Sequence, residues 1–232
     1  MGRSRGVKHD SARDSFDVAK TFSTEFNMSV ATMPPQATIP VSTAMAVPDA
    51  MTIAEFNALP DDPSKDRVLI RGQLREKPMT KRNRWHSDAE SMISHLLINW
   101  LERTDPTFGR VMSGEVGCEL PAIGSSVGID VALFSTETLQ KLAPKAKYIV
   151  GPPVLAVEIL SPSDTQDDIL LKVRDYLDSD VKLVWVVEPW FRTVTVYRTD
   201  SGPEMFHGED KLIGDPHLPG LQLRVADIFA GT

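Results

Sequence analysis

Between residues 86 and 103, apolar side chains return at three- and four-residue steps: Ala89, Met92, Ile93, Leu96, Leu97, Trp100 and Leu101. That period predicts a long helix with one face in a core. Three strands are expected next, at 110–120, 127–134 and 154–160. The last is a nearly continuous apolar run of the kind buried on both faces of a sheet, and Pro162 stops it. A second helix is expected over 164–178, opened by Ser163 or Asp164, with Ile169, Leu170, Val173, Tyr176 and Leu177 as its buried stripe. Residues 181–187 and 193–197 read as two further strands around the Glu188-Pro189-Trp190-Phe191 turn, and 225–229 as a short helix. Before all these, 51–59 suits a short helix with Thr52 as N-cap and Glu55 as its reciprocal partner, and 67–77 suits two strands joined near Gly72. The order of helix, three strands, helix and strand implies an α/β (α+β) fold, a central mixed β-sheet flanked by helices.

Composition sets the limits of that domain. The first 48 residues carry Pro34, Pro35, Pro40 and Pro48 and no sustained period, so they are expected to form a flexible extension, with 49–232 as one domain. A single cysteine, Cys118, excludes an intramolecular disulfide and a thiolate zinc cage, and no stretch is apolar enough to cross a membrane. A reducing, cytoplasmic setting is therefore expected. The net charge of −7 argues against a protein that coats nucleic acid, but Arg71, Arg75, Lys77, Lys81, Arg82 and Arg84 crowd one stretch against Glu76 alone. Lys81, Arg82 and Arg84 are the candidate contacts to nucleic-acid phosphates. The alternative is a solvated hairpin and loop.

Two carboxylates occupy expensive places. Glu158 interrupts the apolar run 154–160, and Asp130 lies within the apolar segment 129–134. A charge in such a strand needs a cation, hydrogen bonds or a proton. If the strands are neighbours, the two acids can hold a divalent metal such as Mg²⁺, which takes oxygen ligands and keeps several waters. The competing reading is a structural pair, one acid capping a turn and the other bridged to a base. Glu115 and Glu119 are weaker candidates for further ligands, His95 suits a helix boundary, Trp185 suits packing, and Tyr176 could touch the site but suits packing better.

The segments Gly128-Ile129-Asp130-Val131-Ala132, Val154 to Ser163 (Val-Leu-Ala-Val-Glu-Ile-Leu-Ser-Pro-Ser), Asp168, Lys172, Tyr176, and Val184-Trp185-Val186-Val187-Glu188-Pro189 together resemble the restriction-endonuclease-like Uma-two family. The resemblance runs from about Met51 to Phe229, through Leu218-Pro219-Gly220-Leu221. It implies the PD-(D/E)XK nuclease-like superfamily, with Asp130 and Glu158 as acid ligands of Mg²⁺ or Mn²⁺ and DNA as the substrate. Lysine is expected two residues after Glu158, where this chain has Leu160; Lys172 on the following helix matches relatives that supply it from there. His86 matches a histidine at the start of the first helix. Ile129 replaces the motif proline, and Glu188 the usual aspartate, without loss of a ligand. The expectation is a metal-dependent endonuclease, with Asp130, Glu158, Lys172 and His86 as catalytic residues. Two other classes stay open: a catalytically silent nucleic-acid-binding or interaction module, and a hydrolase of smaller phosphate esters. Cutting both strands of a duplex would favour a homodimer.

Overall fold

A computed structural model describes residues 50–162 and 164–230, so the extension expected over the first 48 residues lies outside the described residues. In chain order the elements are α1 (Ile53–Asn57), β1 (Lys65–Ile70), β2 (Gln73–Pro78), α2 (Arg84–Thr104), β3 (Gly109–Leu120), β4 (Ser125–Ser135), α3 (Thr136–Gln140), β5 (Ile149–Val150), β6 (Leu155–Ile159), α4 (Gln166–Asp178), β7 (Leu183–Glu188), β8 (Thr193–Tyr197), β9 (Glu204–His207), β10 (Lys211–Ile213), β11 (Gln222–Arg224) and α5 (Val225–Ile228). Thr52 caps α1, and Glu55 completes the reciprocal pair.

β4 organises the molecule. Along one edge it pairs antiparallel with β3. Its other edge is shared: β1 meets it at Ser126, and β6 meets it from Val131 to Leu133. Between these two contacts the sheet forks. Asp130 stands at that fork, one residue before β6 joins. The main sheet continues through β6, β7, β8 and β9, with β6 and β7 parallel and the rest of that path antiparallel, so it is mixed.

The sheet is covered on both faces. Ala89, Ile93 and Leu97 of α2 pack with Val131, Leu133, Leu155, Val157 and Ile159, while Val173 and Tyr176 of α4 pack with Ala132, Phe134, Ala156, Val184 and Val186. Strand alternation accounts for this division, and it puts Glu158 on the α4 side of β6 with Ala156. The expected stripe on α4 needs correction at Leu170, which is exposed; Asp175 is buried instead. The helix is turned so that Lys172, Asp175 and Tyr176 reach polar partners below it. Its N-cap is Thr165, not Ser163 or Asp164: the Thr165 hydroxyl accepts from the Asp168 amide.

Asp175 ties α4 to the start of the sheet. Its carboxylate accepts from the Ser125 hydroxyl at 2.6 Å and from Arg71 Nε at 2.7 Å, and Arg71 also grips Asp178. That anchors the β1–β2 hairpin beside α4. A different constraint acts at Gly109, where an added Cβ would lie 2.0 Å from the Phe134 carbonyl oxygen. Backbone cannot yield as a flexible side chain does. Gly109→Ala is therefore expected to destabilise the protein by about 3 kcal/mol, read as a lower urea midpoint. A midpoint equal to wild type would show that β3 and β4 separate there at no cost.

Candidate active site

Asp130 is buried, yet both its oxygens are addressed. The Ile159 amide donates to Oδ2 at 2.7 Å, which locks the acid across the β4–β6 joint. His86, wholly buried in the first turn of α2, places Nε2 3.3 Å from the same oxygen, without hydrogen-bond alignment; Nδ1 lies 3.7 Å from Glu90. The Asn83 side chain caps α2 by accepting from the His86 amide, which fixes the ring's entry into the site. Arg82 Nη2 is 3.5 Å from Oδ1. Burial alone would raise the Asp130 pKa, but His86, the Ile159 amide and Lys172 outweigh it and hold the acid below its ordinary value.

Glu158 is placed on the adjacent strand by the β4–β6 register, in which Val157 pairs with Val131. Its two oxygens are divided between two residues of α4, one turn apart. Lys172 donates to Oε2 at 2.7 Å and the Tyr176 hydroxyl donates to Oε1 at 2.5 Å. Lys172 also donates to the Gly128 carbonyl at 3.2 Å, so its ammonium bridges β4 and β6. Burial pushes the Glu158 pKa up against the pull of Lys172, and it pushes the Tyr176 hydroxyl well above its usual range, so that group remains a donor. Lys172 suffers the same desolvation, but Glu158 and Asp130 outweigh it and keep the ammonium charged.

A third acid enters through an irregularity in β3. The register shifts between Ser113 and Val116, and Gly114 and Glu115 both have positive φ, 91° and 57°. This bulge sets Glu115 opposite Asp130. Gly128 makes room for it, since a Cβ there would lie 2.4 Å from Glu115 Oε2. Arg82 contacts Glu115 as well as Asp130. The acids and bases surround a cleft of about 310 Å³ walled by β1, β2, β6 and α4.

The structure thus brings Asp130, Glu158, Lys172 and His86 together. Of the three basic residues singled out for phosphate, Arg82 turns to the acids, while Lys81 and Arg84 are exposed. Glu119 is engaged by Asn57 at 2.8 Å, and His95 is exposed and bonded to Asn99. Trp185 is core. Tyr176 does both things the sequence allows it: it is buried in the core and it touches the site, as a donor to Glu158. Glu115, a weaker candidate ligand from the sequence, gained its place from a bulge, of which Gly114 before it is the local hint.

The donor set suits a hard cation. Among the described residues no cluster of three or more His, Cys, Asp or Glu has metal-holding geometry, but two buried carboxylates on adjacent strands, completed by waters and a substrate phosphate, meet the needs of Mg²⁺ or Mn²⁺. Asp130 is held ionised, and Glu158 lies where burial makes an added positive charge favourable.

The sequence model of the Uma2 family, described as "Putative restriction endonuclease", matches residues 53–226. Among solved structures, the chain is similar to that of a "putative nuclease belonging to DUF820" from Anabaena variabilis ATCC 29413, with 24% identity, a TM-score of 0.66, and coverage of 78% of this chain and 98% of that one. This likeness shows a shared fold. No curated protein matches the chain.

Proposed function

The chain belongs to the Uma2 family, and we propose that it is a divalent-metal-dependent endonuclease that hydrolyses phosphodiester bonds of DNA. One observation carries the reading: Asp130, Glu158 and Lys172 converge from β4, β6 and α4 at an open cleft, with both acids buried. Structural ion pairs alone would not need a cleft.

When held by Asp130 and Glu158, Mg²⁺ or Mn²⁺ would polarise a phosphoryl oxygen and lower the pKa of a bound water. The chain's own groups do the rest. The Ile159 amide fixes the Asp130 carboxylate, and Tyr176 fixes that of Glu158, so neither acid must reorganise as charge develops. Lys172 carries a preorganised positive charge to the edge of the cleft, where it can stabilise the growing charge on a phosphate. His86, with no hydrogen-bond partner at either ring nitrogen among the described residues, can hold or pass a proton beside Asp130.

The test is incubation of supercoiled plasmid with wild type and Asp130→Asn, with and without Mg²⁺ or Mn²⁺. Nicked or linear product is expected only from wild type with metal. Intact plasmid throughout would favour the silent binding module, and hydrolysis confined to a small phosphodiester would favour the third class.

Lys81 and Arg84, exposed on either side of the cleft-lining Arg82 in the chain, remain the candidate phosphate contacts. Replacing both with Ala is expected to lower the slope of log K against log salt for duplex binding by about 2. Superimposed salt titrations for variant and wild type would show that neither touches the backbone.

A further inference from the structure

At the N-terminus of α2, directly beside His86, the surface turns aromatic. Trp85 meets Trp190 edge to face with ring centroids 5.5 Å apart, and Arg84 lies 4.6 Å over the Trp85 ring. Trp190 and Phe191 form the tip of the β7–β8 turn and are 70% and 68% exposed. Core packing does not explain them. Neither does turn chemistry, since the positive φ of this turn is at Arg192.

We propose that this ledge is a stacking platform for unpaired nucleobases of the substrate strand, and that the enzyme acts where DNA is single-stranded or locally unpaired. The proposal rests on the nuclease reading above and adds the form of the substrate. Three features favour nucleobases as the occupant. Large π faces stand in water at a loop tip, where bases of any sequence can stack. Exposed Arg84 lies over the Trp85 ring and exposed Lys81 precedes that arginine by three residues in the chain, supplying charge for a phosphate backbone in a protein whose net charge is −7. Trp85 also adjoins His86, which touches Asp130, so the ledge and the carboxylates share one helix end. A paired duplex hides its base faces and has nothing to offer Trp190 and Phe191.

The experiment compares wild type with Trp190→Ala/Phe191→Ala, using a fluorescein-labelled single-stranded oligonucleotide and the same sequence as a blunt duplex. Binding is read by anisotropy with Ca²⁺ in place of Mg²⁺. Both substitutions lie on an exposed tip, so the fold should persist, with only a small fall in melting temperature from the lost Trp85–Trp190 contact. The expected result is about tenfold weaker single-strand binding by the variant, with duplex affinity within about twofold of wild type. Equal single-strand affinity, equal weakening for both forms, or no single-strand binding by wild type would overturn the ledge. So would a dimer in sedimentation that these substitutions dissolve, because it would assign the aromatics to a second copy of the chain. Plasmid cleavage with Mg²⁺, run in parallel, keeps the two readings apart. Inactive proteins that still differ in single-strand affinity would remove the nuclease and leave the ledge, whereas active proteins with the same single-strand affinity would remove only the ledge.

Discussion

Lys172→Met is expected to slow DNA cleavage at least about a hundredfold, the usual cost of deleting one preorganised group that stabilises transition-state charge. The side chain keeps its length and its packing stem, so the loss should reside in kcat more than in KM. Stability will not be untouched. Glu158 is nearly buried, and removing the partner of a buried pair leaves an uncompensated charge worth about 3 kcal/mol. The sign of the pH dependence follows from Glu158, whose pKa burial already raises and which would rise further without Lys172. An acid whose folded pKa exceeds its unfolded value contributes stability below the unfolded pKa and loses it as pH climbs through the folded one. Urea midpoints of variant and wild type should therefore lie closest below the ordinary carboxylate pKa and diverge as pH rises above it. If wild type cleaves and the variant does so within about threefold, measured below its own melting temperature, Lys172 serves the fold and not the reaction.

Metal alone should stabilise the wild-type protein, by about 2.7 kcal/mol at a concentration near 100 times the Kd, because it binds the native arrangement and not the unfolded chain. Asp130→Asn/Glu158→Gln is expected to erase that increment. The baseline will shift too, since Lys172, His86 and Arg82 lose acidic partners, so the quantity to compare is the change in melting temperature on adding Mg²⁺ or Mn²⁺ to each protein. The same metal-induced rise in both would move the binding site elsewhere.

The parts of this architecture that are buried were legible from the amino-acid order, because burial imposes a period. The α2 stripe and the continuous β6 run are visible for that reason, and Glu158 stands out because an acid there is costly. The α1 cap was equally plain, since Thr52 and Glu55 make a local bond at fixed spacing. β9, β10 and β11 escaped because they are short, and the first of them is an exposed edge with little alternation. α3 and β5 are too brief to show a period. Within the site, Asp130, Glu158, Lys172 and His86 could be named, but their partners could not. That Tyr176 donates to Glu158 depends on the turn of α4, which the exposed Leu170 shows is not set by apolar content alone. Arg82 looked like one more member of a basic run until a β-bulge put Glu115 within its reach.

Cys118 offers a clock for the opening of this sheet. It is wholly buried on β3 opposite Val127, its thiol turned to the Gly151 carbonyl at 3.4 Å, and burial pushes its pKa up to about 12. A thiol so placed reacts with an alkylating agent only when β3 comes away from its neighbours. Because the chain has one cysteine, the labelling rate reports a single event, without the overlapping signals of several sites. Labelling with and without Mg²⁺ would then show whether cation binding beside Asp130 also slows the separation of β3 from β4, or leaves that motion as fast as before.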